Sequence, residues 1–124
     1  MINLAISVPG NFYRDAITKA LEKTGDFRVR ALEEYDFEAP KADKPEVALL
    51  GVSVHQGFTL KERRVDIQNI RNRAPNCRIV LFLDELVSPE QTEGVKNLKQ
   101  ARLIDGFLYA SGTMEYLVAT LESI

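Results

Sequence analysis

A single histidine and two carboxylates are the clearest candidates for chemistry in this sequence. His55 follows one apolar run, and Asp84 and Glu85 follow the next one along the chain. An imidazole near carboxylates can bind a metal ion or act as an acid and a base. No ligand spacing supports a metal site, so we interpret both segments as polar loops. An enzyme that uses His55 with Asp84 is the alternative.

A second candidate is the turn Val8-Pro9-Gly10-Asn11, which leads into a predicted helix. The first N–H groups of a helix attract anions, so this turn could accept the phosphate of a nucleotide or a flavin. The turn has one glycine and few hydroxyls, and the sequence has no dinucleotide fingerprint and no P-loop. We therefore interpret it as a tight turn, with a small-ligand site as the alternative.

Five short apolar runs alternate with helical patterns and position these residues. They are INLAISV from Ile2, FRVRAL from Phe27, EVALLGV from Glu46, RIVLFL from Arg78 and GFLYA from Gly106. The first, third and fourth are almost continuously apolar, as strands buried on both faces are. The second alternates with arginines, which predicts an edge strand. Strands and helices that alternate with short connections predict a parallel sheet covered by helices on both faces.

Capping residues mark the starts of the predicted helices. Thr59 and Glu62 have the spacing of a capping box, in which each side chain satisfies a free backbone N–H group of the other's segment. Ser88 precedes a proline at a first helical turn, and Gln91 occupies the position of the second residue of such a box. Thr113 opens the last helix, and Gly25 stops the first one.

The predicted helix after Thr59 combines an apolar face with several basic residues. The apolar face consists of Leu60, Ile67, Ile70 and Ala74. The basic residues are Lys61, Arg63, Arg64, Arg71 and Arg73. We interpret them as a solvated face, with Arg63 and Arg64 as a possible contact to an acidic partner. Residues 33–44 are polar and acidic with a proline, which leaves room for only a short or degenerate helix.

The carboxyl ends of the predicted strands carry no reactive side chain. An open parallel α/β sheet binds and reacts at these ends. The positions there are Val8, Pro9, Gly51, Leu83 and Ala110. None of them offers an acid, a base, a nucleophile or a charge, so the sequence argues against enzymatic activity.

The composition limits the classes of function. The chain has 124 residues, of which 45% are hydrophobic and 27% charged, and its net charge is −2. This balance gives no electrostatic reason to expect direct binding to nucleic acid or to a membrane surface. Cys77 is the only cysteine, so an intrachain disulfide is excluded. We expect a cytoplasmic protein, since no secretory signal is visible, with this thiol near the surface.

Three segments resemble the receiver domain of bacterial response regulators, particularly those that carry a LuxR-type DNA-binding domain. MINLAISVPGNFYRDAI is similar to the family's first strand, acidic turn and helix start, here Tyr13-Arg14-Asp15. PEVALLGV from Pro45 is similar to its third strand, and IDGFLYASGTMEYLVATLESI to its last strand and helix. The resemblance implies a doubly wound, flavodoxin-like α/β fold with strand order 2-1-3-4-5, as a single domain over residues 1–124.

The resemblance also implies that the family's phosphorylation chemistry is lost. Its two metal-binding acids fall on Val8 and Pro9, and its phosphoacceptor aspartate falls on Gly51. Its threonine or serine falls on Leu83, and its lysine falls on Ala110. Aspartyl phosphorylation needs a carboxylate nucleophile and a magnesium ion held by further carboxylates. We therefore predict a degenerate pseudo-receiver without a cofactor or a metal.

The predicted function is a non-enzymatic, phosphorylation-independent signal-transduction domain that binds a protein partner or itself as a homodimer. We expect it to be the amino-terminal part of a transcriptional regulator, and the alternative is a nucleotide or flavin sensor that uses the emptied crevice. The family's contact surfaces are the first helix with the last, or the fourth helix with the fifth strand and helix. Aromatic residues and methionine are enriched in interfaces. The candidate contact residues are Phe12, Tyr13, Tyr109, Met114 and Tyr116. Phe107 occupies the family's switch aromatic position, although an aromatic residue on a strand is typical of core.

Overall fold

The computed structural model describes residues 1–38, 40 and 43–124, and for Phe12 it describes the backbone alone. In these ranges, five strands alternate with four α-helices. The strands are β1 (Ile2–Ser7), β2 (Phe27–Ala31), β3 (Val47–Val52), β4 (Arg78–Leu83) and β5 (Gly106–Tyr109). The α-helices are α1 (Asn11–Lys23), α2 (Leu60–Arg73), α3 (Pro89–Gln100) and α4 (Met114–Glu122). None of the described helices is long and apolar enough to cross a membrane.

The strands form one parallel sheet in the order β2-β1-β3-β4-β5, which confirms the predicted topology. The central strand β3 is buried along its whole length, and β4 is buried from its second residue onward. At the edge, β2 has Phe27 buried and Arg28 and Arg30 exposed, as its alternating pattern predicts. β2 lies on one side of β1, and β3 lies on the other side, so the order in which strands are added to the sheet reverses at this point. The crevice of such a fold lies at the carboxyl ends of β1 and β3.

Helices pack on both faces of the sheet and cover two apolar cores. One core lies under α1 and α4 and contains Ile17, Leu49 and Leu121. The other lies under α2 and α3 and contains Leu50 and Ile67. Because successive residues of a strand point to opposite faces, the continuous apolar run of β3 supplies both cores.

Side-chain caps start three helices where the sequence predicts them. The capping residues, which accept from backbone N–H groups three residues later, are Thr59, Ser88 and Thr113. The second residue of each predicted box accepts hydrogen bonds from groups other than the N–H of its capping residue. Glu62 accepts from the N–H of Gly57 (2.8 Å) and from the hydroxyl of Thr59 (2.8 Å). Gln91 accepts from the N–H of Leu60 (3.0 Å), so it joins the start of α3 to the start of α2.

The connection between β2 and β3 contains the expected short helical segment. A 3₁₀ helix covers Leu32–Glu34. Tyr35 after it is buried, and Phe37 packs against the core under α2 and α3. The predicted short or degenerate helix at residues 33–44 is therefore confirmed at its beginning, and residues 39, 41 and 42 lie outside the described part.

Cys77 lies in the core under α2 and α3. It is 2% exposed, because the turn after α2 folds back with the N–H of Cys77 on the carbonyl of Ala74 (2.9 Å). Burial raises the pKa of the Cys77 thiol to about 12, against the opposing effect of Arg71. The prediction of a thiol near the surface is wrong, since the chain enters β4 from inside the core.

Candidate functional site

The five positions that the resemblance aligns with the reactive residues of receiver domains share the carboxyl edge of the sheet. Gly51 in β3 touches the turn at Val8 and Pro9 that follows β1. Ala110, after β5, donates its N–H to the carbonyl of Leu83 at the end of β4 (2.7 Å). Val8, Pro9 and Ala110 line one cavity of about 730 Å³, whereas Leu83 turns into the core under α2 and α3. None of these side chains presents an oxygen or a charge to the cavity.

Gly51 lies where the turn after β1 leaves no room for a side chain. A Cβ atom at this position would lie 2.7 Å from Cδ of Pro9 and 3.1 Å from Cα of Val8. Carbon atoms in contact normally lie about 3.5–4.0 Å apart. The space beside Gly51, which the resemblance aligns with the phosphoacceptor of receiver domains, is therefore filled by the neighbouring turn.

Arg63 of α2 is buried at the same edge. It is 2% exposed and donates from Nε to the carbonyl of Gly51 (2.7 Å). Its Nη2 donates to the carbonyl (2.7 Å) and the hydroxyl (2.9 Å) of Ser7, and its Nη1 donates to the carboxylate of Asp66 (3.1 Å). The guanidinium thus joins α2 to the ends of β1 and β3. The interpretation of Arg63 as part of a solvated face is wrong, and only Arg64 of that pair is exposed.

The Arg63 guanidinium places a positive charge at the ends of β1 and β3. Burial lowers the pKa of Arg63 and Asp66 opposes this shift, but an arginine stays charged at physiological pH. The ring of Phe58 lies 4.9 Å from the guanidinium carbon, a distance that suits a cation–π contact. The magnesium ion of receiver domains would not fit beside Val8 and Pro9, because neither residue offers a side-chain oxygen.

The spacing of apolar residues in α2 could have identified Arg63 as a buried residue. Leu60 and Ile67 are buried, and Arg63 lies three residues after the first and four before the second. These intervals place Arg63 on the apolar stripe of the helix. A basic residue at such a position is a candidate for a buried, hydrogen-bonded charge.

His55, Asp84 and Glu85 line the same cavity as Val8, Pro9 and Ala110. The hydrogen bonds of His55 and Asp84 are local bonds within their own loops. The N–H of His55 donates to the hydroxyl of Ser53 (3.1 Å), and the carboxylate of Asp84 accepts from the N–H of Leu86 (2.9 Å). Within the described ranges, no three His, Cys, Asp or Glu side chains lie close enough to share a metal ion. The two carboxylates give the rim of the cavity a negative charge.

Four of the candidate contact residues lie on one surface. Tyr13, Tyr109 and Tyr116 are 50%, 48% and 56% exposed, and Met114 beside them is half-buried. They line a cavity of about 480 Å³ between α1, β5 and α4. The side chain of Phe12 lies outside the described part of the chain.

Phe107, which the resemblance places at the switch aromatic position of receiver domains, has its ring in contact with both a core and a cavity. Its ring packs against the core under α2 and α3. It also meets Tyr109 edge-on, with ring centroids 6.0 Å apart, and lines the cavity between α1, β5 and α4.

Solved structures of other proteins share the fold of this chain. No family model and no curated protein matches this sequence. The structure is similar to chemotaxis protein CheY4 from Vibrio cholerae, with a TM-score of 0.70, 16% identity and coverage of 100% of this chain and 98% of that chain. It is similar to an orphan response regulator of H. pylori, with a TM-score of 0.69, 14% identity and coverage of 98% and 94%. It is also similar to adenylate cyclase from Rhodopirellula baltica, with a TM-score of 0.76, 13% identity and coverage of 98% and 84%.

The parallel sheet in the order 2-1-3-4-5 with flanking helices matches the flavodoxin-like fold of CheY-like receiver domains. The fold that the sequence resemblance implies is therefore confirmed.

Proposed function

We propose that the chain is a phosphorylation-independent pseudo-receiver, a non-enzymatic signal-transduction domain that binds another protein or a second copy of itself. The observation that carries the proposal is the packing of Pro9 into the space where Gly51 would bear a side chain. The receiver-like fold supports a role in signal transduction. In this proposal the domain spans residues 1–124 and is the amino-terminal part of a cytoplasmic transcriptional regulator of the LuxR type.

The hydrogen bonds of Arg63 support independence from phosphorylation. They join α2 to β1 and β3 without a phosphoryl group or a metal ion. Breaking a buried, hydrogen-bonded charge from its partners costs on the order of 3–5 kcal/mol. The hydrogen bonds of Arg63 therefore favour a single arrangement of α2 against the carboxyl ends of β1 and β3.

The exposed aromatic residues support a role in binding proteins. Tyr13, Tyr109 and Tyr116 leave large apolar surfaces in contact with solvent. Contiguous exposed apolar surface typically marks a contact site. The same three residues belong to the first helix, the last strand and the last helix, where the resemblance places the contact surfaces of the family.

Treatment with acetyl phosphate and magnesium tests this proposal. The intact mass of the chain is expected to stay unchanged, while a phosphorylatable receiver treated in parallel gains an acid-labile phosphoryl group. An NMR titration with magnesium and beryllofluoride gives a second readout, with no expected shifts at the amides of Val8, Gly51 and Ala110. A phosphoryl adduct on the intact chain contradicts the proposal.

A nucleotide or flavin sensor is the alternative function. The volume of the cavity at the strand ends, about 730 Å³, lies within the usual range of ligand sites, and this volume favours a sensor function. Titration with a panel of small nucleotides and flavins distinguishes the two functions. A ligand that raises Tm and shifts the amides around Val8 and Ala110 would favour the sensor. Self-association or partner binding that no panel member affects would favour the interaction domain.

A further inference from the structure

Two adjoining cavities form one groove at the carboxyl edge of the sheet. The cavity at the strand ends measures about 730 Å³, and the one between α1, β5 and α4 about 480 Å³. Tyr13, Phe82 and Ala110 line both of them, so the two cavities meet along a shared wall. We name this surface the aromatic groove and define it by Tyr13, Phe58, Phe82, Tyr109 and Tyr116.

Three of the five rings of the aromatic groove are about half exposed, and the ring of Phe82 supports one of them. Phe82 is almost buried and meets Tyr13 edge-on, with ring centroids 6.3 Å apart. Tyr13, Tyr109 and Tyr116 each leave about half of their surface exposed. Rings held in this way offer a large contact area at a low cost in side-chain entropy.

The wider end of the aromatic groove carries negative charge. Asp84 and Glu85 line it, and no lysine or arginine of the described residues lines either cavity. Neither carboxylate belongs to an ion pair within the described chain. The N-terminus of α1 at Asn11 lies nearby, but it contributes only about half a positive elementary charge. The Arg63 guanidinium lines neither cavity and is paired with Asp66 (3.1 Å), so the two carboxylates give this end a net negative charge.

We propose that the aromatic groove binds a short segment of a partner protein that carries an aromatic or large aliphatic side chain next to a lysine or arginine. The apolar side chain enters the cavity at the strand ends, and the basic residue pairs with Asp84 and Glu85. Charge complementarity of this kind selects partners and speeds their association. The inference rests on the proposed role in protein interaction and adds the chemistry of the partner.

The exposed basic residues of α2 lie away from the aromatic groove. The exposed Lys61 and Arg64 lie on α2, where they line a separate cavity with Val54 and Glu90. A copy that offered these residues to the aromatic groove would make a head-to-tail contact. Such contacts propagate into filaments unless the rotation closes a ring. We therefore assign the groove to a different protein.

Selection of random peptides displayed on phage against the full chain tests the partner chemistry. Enriched peptides are expected to combine an aromatic or large aliphatic residue with an excess of lysine and arginine. Synthetic versions are expected to bind about tenfold more weakly to Tyr109→Ala and to the double variant Asp84→Asn/Glu85→Gln. Val65→Ala is the control, because Val65 is 62% exposed on α2 and lines neither cavity. Its affinity for the peptides is expected to equal that of the parent chain.

Several outcomes overturn the inference. They are enrichment of acidic or uncharged peptides, no enrichment, and equal binding by the parent chain and both groove variants. Self-association that Tyr109→Ala abolishes and that competes with the peptides would identify a second copy as the occupant and overturn it as well. The acetyl phosphate experiment is independent of these readouts, so a phosphoryl adduct would remove the proposed function while the peptide result kept its meaning.

Discussion

Gly51 lies where the turn after β1 leaves no space for a Cβ atom. Because its Cβ would contact Pro9 at 2.7 Å, Gly51→Ala is expected to lower the free energy of unfolding. Overpacking of this kind costs about 1–3 kcal/mol. Gly106→Ala is the matched control, since a Cβ at this strand glycine would meet no heavy atom within 4 Å. Urea unfolding of the two variants measures the difference, and equal stabilities would contradict the packing argument.

Arg63 and Arg64 are neighbours in sequence with opposite roles. Arg63→Ala leaves the carbonyls of Gly51 and Ser7 without their donor, so the expected loss of stability is about 3 kcal/mol or more. Arg64→Ala removes an exposed side chain and is expected to change stability by less than about 0.5 kcal/mol. Arg63→Lys is not expected to rescue the fold, because an ammonium cannot reproduce the planar fork of donors. Chemical unfolding that ranks Arg64→Ala as the more destabilised variant would contradict the assignment.

The candidate site was predictable in its chemistry but not in its packing. The sequence alone identifies Gly51, Val8 and Pro9 as residues without reactive groups. It does not reveal that Pro9 fills the space beside Gly51, because such contacts depend on the path of two separate segments. The burial of Arg63 depends likewise on carbonyl groups up to 56 positions away in the chain.

At the scale of elements, the start of α2 depends on the ionisation of Glu62. Hydrogen bonds from the Thr59 hydroxyl and the Gly57 N–H lower the pKa of Glu62 below its ordinary value of 4.5. A group with a lowered folded pKa stabilises the protein above its unfolded pKa and loses this contribution as the pH falls through the folded pKa. The stability difference between the parent chain and Glu62→Gln is therefore expected to be constant near neutral pH and to shrink below pH 4.5.

Urea unfolding at a series of pH values measures this difference. Glu93→Gln is the control, because Glu93 is exposed on α3 and accepts no hydrogen bond from a side chain or loop of the described residues. A Glu62→Gln difference that stays the same at every pH would show that the carboxylate charge does not hold the start of α2.

The elements themselves were largely predictable, since their signals are local. Each apolar run forms a strand whose ends lie within one residue of the ends of the run. Thr59, Ser88 and Thr113 start helices because a hydroxyl can accept from an N–H group three residues later. Gln91 departs from its predicted contact because its side chain reaches Leu60, which is 31 positions away and near only in the folded chain.

For the whole molecule, Cys77 reports on the opening of the core under α2 and α3. The thiolate is the reactive form of cysteine, and this thiol is 2% exposed with its pKa raised to about 12. Iodoacetamide is therefore expected to label Cys77 only when the structure opens, at a rate that rises with urea in parallel with global unfolding. Asn76→Cys in a Cys77→Ala background is the control, because Asn76 is exposed and its replacement is expected to react at the rate of a free thiol. Native-state labelling of Cys77 that does not depend on urea would mean that the start of β4 opens locally. The core under α2 and α3 would then not unfold as one cooperative unit.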